Sequence, residues 1–94
     1  MSDFTADDGT IQVLLERLNT LRLPRALEMK KRVDAGELLQ ESDIEFLTRA
    51  LEDARNAGTL VHRHPEFKEL AEQVSELYAH ITRVGLENQR KQGA

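Results

Sequence analysis

The sequence predicts a small all-α protein, an antiparallel bundle of three or four helices with a proline-kinked N-terminal helix and a long C-terminal one. Three observations carry the prediction. Apolar residues recur at alternating spacings of three and four, as Phe67, Leu70, Val74, Leu77, Ile81 and Val84 do, and that is the period of one helix face. Leu supplies 14 of the 27 large apolar residues (Leu, Ile, Val, Phe, Met), while aromatics make up 4% of the chain and charged residues 32%. Leu, Ala, Glu and Arg lose least on entering a helix. Strand formers, by contrast, are sparse: five Val and three Ile, nowhere gathered in an alternating run.

The elements follow in order. Residues 1–9 read as a flexible lead, with Thr10 as the N-cap of a helix whose stripe is Ile11, Leu14, Leu15, Leu18 and Leu21. Pro24 interrupts it, because proline has no N–H to donate and disfavours helical geometry at Leu23. Either one helix kinks near Leu21 and Pro24, or two helices meet there. Leu27, Met29 and Val33 continue the apolar pattern, and Gly36 marks the stop. Ser42 followed by Glu45 matches a capping box opening the next helix. Its stripe is Ile44, Leu47, Leu51, Ala54, Gly58 and Val61, widened by Ala50 and Ala57. Gly58 either ends that helix or sits in it at a cost of roughly 1 kcal/mol relative to Ala.

Pro65 is a good first-turn residue for the last helix, predicted over residues 65–90 and near 38 Å long at about 1.5 Å per residue. Ala71, Tyr78 and Gly85 flank its stripe, leaving surface for a second subunit, and Asn88 is where the dry packing is expected to stop. The domain therefore spans 10–90, with a frayed tail at 91–94. Two stripes of matched spacing predict an antiparallel hairpin, with the N-terminal segment laid across it.

Length and composition bound the function. Ninety-four residues make one domain, and the lack of Cys excludes disulfides and thiolate metal sites. No apolar run exceeds three residues, far short of a membrane span. The acidic start Met1-Ser2-Asp3-Phe4-Thr5-Ala6-Asp7-Asp8 lacks the features of a signal peptide, so a cytoplasmic, prokaryotic setting is expected. A net charge of −4 argues weakly against a dedicated nucleic-acid binder.

Candidate chemistry is thin. His62, His64 and His80 do not complete a ligand set, since helical metal pairs need spacings of three or four with further ligands converging. His62 and His64 read as junction residues and His80 as a flanking surface residue. Glu69, Glu72 and Glu76 read as a solvated face, because general acid–base work needs a cleft that shifts carboxylate pKa values. No phosphate-binding glycine loop, nucleophile elbow, zinc helix or calcium loop occurs. The expectation is a non-enzyme without cofactor or metal. Residues 14–24, Leu-Leu-Glu-Arg-Leu through Leu-Arg-Leu-Pro, resemble the N-terminal helical start of transposase-helper ATPases. They are leucine-rich helix only, and everything that would make such a protein an ATPase is missing from the sequence.

Interaction remains. Segment 22–32 holds five cations, Arg22, Arg25, Lys30, Lys31 and Arg32, against the one acid Glu28, and an acidic stretch follows it. These cations either dock an acidic partner or a phosphate backbone, or pair with the acidic helix in the fold or across a dimer; the pairing is preferred. Phe46 and Leu60 sit off the predicted stripe of their helix, near one side, and with Tyr78 complete the candidate interaction surface. The leading expectation is a self-associating interaction or regulatory module, a homodimer with a possible coiled-coil-like seam or a protein partner. The alternative is a nucleic-acid accessory protein using the basic segment.

Overall fold

The computed structural model describes residues 6–93, with side chains from Gly9 onward. Four α-helices make three rods: α1 (Ala6–Arg17) passes through a π-helical turn (Leu18–Arg22) into α2 (Leu23–Asp34), α3 (Glu41–Arg63) follows a loop, and a 3₁₀ turn (Pro65–Phe67) opens α4 (Lys68–Gly93). No strand occurs among the described residues. Helix α1 thus begins ahead of Thr10, and α4 continues past residue 90; of the lead predicted over 1–9, residues 1–5 lie outside the described residues, as does Ala94.

Pro24 produces the π turn and not a break. The Leu23 N–H donates to the Leu18 carbonyl, five residues back, and Arg17, Arg22 and Leu23 all keep right-handed helical backbone. The wider turn accommodates a ring that would otherwise press on the Thr20 carbonyl. Helix α2 then ends at Gly36, which adopts φ +94. The Gly36 N–H donates to Val33 O (3.0 Å) and the Glu37 N–H to Arg32 O (3.0 Å), the paired bonds of a Schellman stop.

That stop is the docking point for the end of α4. Asn88 Nδ2 donates to Val33 O (2.8 Å) and Glu37 O (2.9 Å), and Gln92 Nε2 to Gly36 O (3.0 Å). Asn88, predicted to mark the end of dry packing, is buried with its amide donating to two carbonyls around the α2 stop, Val33 O, which also accepts the Gly36 N–H, and Glu37 O. One turn earlier, Gly85 lets Leu39 lie against the helix: a Cβ there would sit 2.5 Å from Leu39 Cδ1.

Helix α3 starts one residue before Ser42, so the predicted Ser42–Glu45 box is replaced. Asp43 accepts the Gln40 N–H at 2.9 Å, and the Ser42 carbonyl accepts from Arg25 at 3.3 Å. Gly58 stays inside α3, exposed and with open space around it. Helix α3 is also rotated from the predicted phase, while the predicted α4 stripe faces the core. Ile44 and Leu51 are 54% and 43% exposed, whereas Phe46, Leu47, Ala50 and Leu60 are buried. In α4 the residues predicted as flanks, Tyr78 and Gly85, are buried with Ile81 and Asn88.

Helix α2 packs along α4, α3 along α4, and α1 along α3. The core gathers Ala26 and Met29 of α2, Phe46, Leu47 and Ala50 of α3, and Tyr78 and Ile81 of α4. The molecule is slim, 61 × 20 × 17 Å.

Candidate interaction surface and apolar cavity

Four of the five cations in segment 22–32 are engaged inside the fold. Arg32 forks onto Asp43, Nη2 to Oδ1 at 2.8 Å and Nη1 to Oδ2 at 3.1 Å. Arg22 Nε donates to Asp53 Oδ2 at 3.2 Å, and Arg17, from α1, reaches Asp53 Oδ1 at 3.1 Å. Lys30 pairs with Asp34 at 2.8 Å, four residues on. Arg25 lies 4.8 Å and Arg22 5.5 Å from the centroid of the Phe46 ring, so two guanidiniums cover that aromatic face. Of the five, Arg25 and Lys31 are exposed without an ion pair among the described residues. The geometry joins the basic α2 to the acidic α3 within one chain.

Electrostatics follow from these contacts. The Arg32 hydrogen bonds hold the Asp43 carboxyl below its ordinary value; burial opposes them, and the Gln40 N–H assists. Asp34 is lowered by Lys30 and then by His80, whose Nε2 lies 2.7 Å from Asp34 Oδ1. His80 thus clips α4 to the end of α2. His62 is exposed, and the His64 N–H donates to Leu60 O and Val61 O at the end of α3. Among the described residues no group of three or more His, Asp or Glu is placed to hold a metal ion. Equally, no described helix is long and apolar enough to cross a membrane.

Phe46, Leu60 and Tyr78, predicted as surface, are core residues at 5%, 8% and 2% exposure. The side of α3 that carries Phe46 and Leu60 is the side the N-terminal rod covers, which turns Ile44 and Leu51 outward. The structure therefore does not bring the eight predicted residues together as one open face.

Between α1, α3 and α4 lies a half-open cavity of about 120 Å³. Its walls are apolar along most of its course, from Val61, Phe67 and Leu70 near the hairpin turn. At the other end stand Arg22, Asp53 and Tyr78. Burial pushes the Tyr78 phenol above its ordinary value, with Arg22 opposing and Asp53 adding to the shift. Its hydroxyl makes no hydrogen bond with another described residue.

Sequence reasoning passed over Arg17 and Asp53, and for Asn88 it missed the two hydrogen bonds to Val33 O and Glu37 O. A signal was present for Asp53. Asp43, Phe46, Ala50, Asp53, Ala57 and Leu60 follow one another at steps of three and four, so the two acids share the register of the buried residues. An acid in an apolar register needs a cationic partner from another element. Comparison with protein-family models, curated proteins and solved structures finds no match to this chain.

Proposed function

We propose that the protein is a non-enzymatic helical interaction module that works as a homodimer. The observation that carries this reading is the outward pair Ile44 and Leu51, seven residues apart on one face of α3 and both more than two-fifths exposed. A repeat of seven places both side chains on one line along the helix, the seam that a second helix packs against. Val13, Leu21, Leu27, Leu38 and Leu86 are also large, apolar and exposed. Exposed apolar residues are ordinary one at a time; an aligned pair on a slim rod is a surface in search of cover.

Area supports the same reading. The chain exposes 6749 Å² at 10.7 kDa, where a compact monomer of that mass exposes roughly 5,500 Å². The surplus of about 1,200 Å² exceeds the ~800 Å² per partner that a standard interface buries. A radius of gyration of 15.4 Å, against about 12 Å for a compact chain of this length, comes from the same elongation. Nucleic-acid contact has less to draw on, because Arg22, Lys30 and Arg32, three of the five cations it would use, are engaged with Asp53, Asp34 and Asp43. The test is light scattering across micromolar concentrations on the native chain and on Ile44→Glu/Leu51→Glu. The native chain is expected as a dimer and the variant as a folded monomer.

A further inference from the structure

The outward face of α3 carries more than its two large apolar residues. Glu41, Ile44, Thr48, Leu51 and Arg55 follow one another at steps of three, four, three and four, and all five are exposed. That spacing lines them up as one seam of heptad period along the helix. Glu45 and Glu52 border it, with Arg49 within one turn of both.

The chemistry along the seam reads alike in shape from either end but opposite in charge. Thr48 is the midpoint: an acid stands seven residues before it and a base seven residues after it, with Ile44 and Leu51 between. Neither Glu41 nor Arg55 has an ion pair among the described residues, so both charges are open to a second chain. The Thr48 hydroxyl donates to Ile44 O at 2.9 Å, so covering the midpoint strands no donor. Two-fold symmetry lets a second α3 lie along this line in two ways. In the parallel one, Glu41 faces the partner's Glu41 and Arg55 the partner's Arg55, like charges at both ends. In the antiparallel one, turned about Thr48, Ile44 faces the partner's Leu51 and Glu41 the partner's Arg55. Opposite charges then meet at both ends, and like-charge juxtaposition is what disfavours the other alignment.

We propose that a second copy docks antiparallel on α3, the two-fold axis passing at Thr48, with Ile44 against the partner's Leu51 and Glu41 paired with the partner's Arg55. The proposal rests on the homodimer reading and adds how the copies align and which charges select that alignment. Symmetry repeats every contact, so each dimer holds the Glu41–Arg55 pair twice, once at each end of the seam.

The experiment uses the full chain, which has no Cys, so single introduced thiols report proximity without background. Under mild oxidation Thr48→Cys is expected to give a disulfide-linked dimer, because its two copies meet at the axis. Glu41→Cys and Arg55→Cys each lie about 21 Å from their own copy at 1.5 Å per residue, so each stays unlinked alone and the two link when mixed. By sedimentation, Glu41→Arg or Arg55→Glu weakens the dimer about tenfold, less so in high salt, and the double variant returns to within about twofold of the native chain. Helical circular dichroism checks that each variant folds. The alignment is overturned if Glu41→Cys or Arg55→Cys links to itself, if their mixture or Thr48→Cys does not link, or if the double variant associates no better than the singles. A native chain that sediments as a monomer overturns the homodimer reading and this proposal with it, whereas a native dimer with the wrong links overturns the alignment alone.

Discussion

Arg32 of α2 grips Asp43 of α3 through two nitrogens, 2.8 and 3.1 Å from the two carboxylate oxygens. Asp43 is buried and also caps the start of α3 through the Gln40 N–H, so one carboxylate ties a helix start to a neighbouring rod. Replacing Asp43 with Asn keeps the shape and removes the charge. The expected loss is about 3 kcal/mol, at the low end for a broken buried pair because Arg32 keeps some contact with water. Urea unfolding of the two proteins measures it.

The same carboxylate sets an acid limit. Its folded pKa lies below the ordinary value, so the unfolded chain binds the proton more tightly and the pair stabilises the fold fully only above the unfolded value, about pH 4. That contribution is lost as pH falls through the lower folded value. Unfolding midpoints should therefore stay flat, as far as this pair is concerned, from pH 7 to about 5 and decline below about 4. Asp43→Asn should show a shallower decline.

Asn88 secures the same C-terminal end of α2 from the side of α4. It supplies two hydrogen bonds to the carbonyls of Val33 and Glu37, which a Leu or Ala cannot replace. Asn88→Ala should cost about 2–3 kcal/mol. Hydrogen exchange adds a local readout: the Gly36 and Glu37 amides, which donate within the Schellman stop, should lose protection before the rest of α2.

Two glycines predict opposite outcomes from one substitution. Gly58 lies exposed within α3 with nothing near an added Cβ, so Gly58→Ala should stabilise by about 0.5–1 kcal/mol through helix propensity. Gly85→Ala meets the Leu39 side chain and should destabilise by about 1–2 kcal/mol despite the same gain in propensity. Adding Leu39→Ala to Gly85→Ala should remove the clash, and a double-mutant cycle in urea measures the coupling.

The internal pairing of segment 22–32 also predicts weak nucleic-acid affinity. Fluorescence anisotropy with labelled duplex DNA at low salt should show no saturable binding at micromolar protein, and Lys30→Ala/Lys31→Ala should change nothing. Tight binding with a steep salt slope would favour the accessory-protein reading.

How far the sequence can be read depends on which physical term decides each feature. The helices follow from local terms. The three–four spacing through α4, the Gly36 stop and the helical propensity of the charged, leucine-rich segments depend on nearby residues alone. Rotational phase is not local. Helix α3 has an Ile44–Leu51 stripe and a Phe46–Leu60 stripe, and burial of the second was decided by the rod that lies over it. The Ser42–Glu45 box failed similarly, because Asp43 offers a cap and an Arg32 partner at once. Candidate surface residues inherited that phase error: Phe46, Leu60 and Tyr78 went inside, and Ile44 and Leu51 came out. The charge pairing of α2 with α3 was legible as a preference, yet the Arg17–Asp53 pair, which ties α1 to α3, was visible only as two charges in helical register.

Self-association through the α3 seam is measured by sedimentation equilibrium on the full chain at micromolar concentration, alongside Ile44→Glu/Leu51→Glu. The native chain is expected at twice 10.7 kDa, and a variant that keeps its helical circular dichroism at 10.7 kDa. A native chain that sediments at 10.7 kDa throughout, or a variant that stays dimeric, would contradict it.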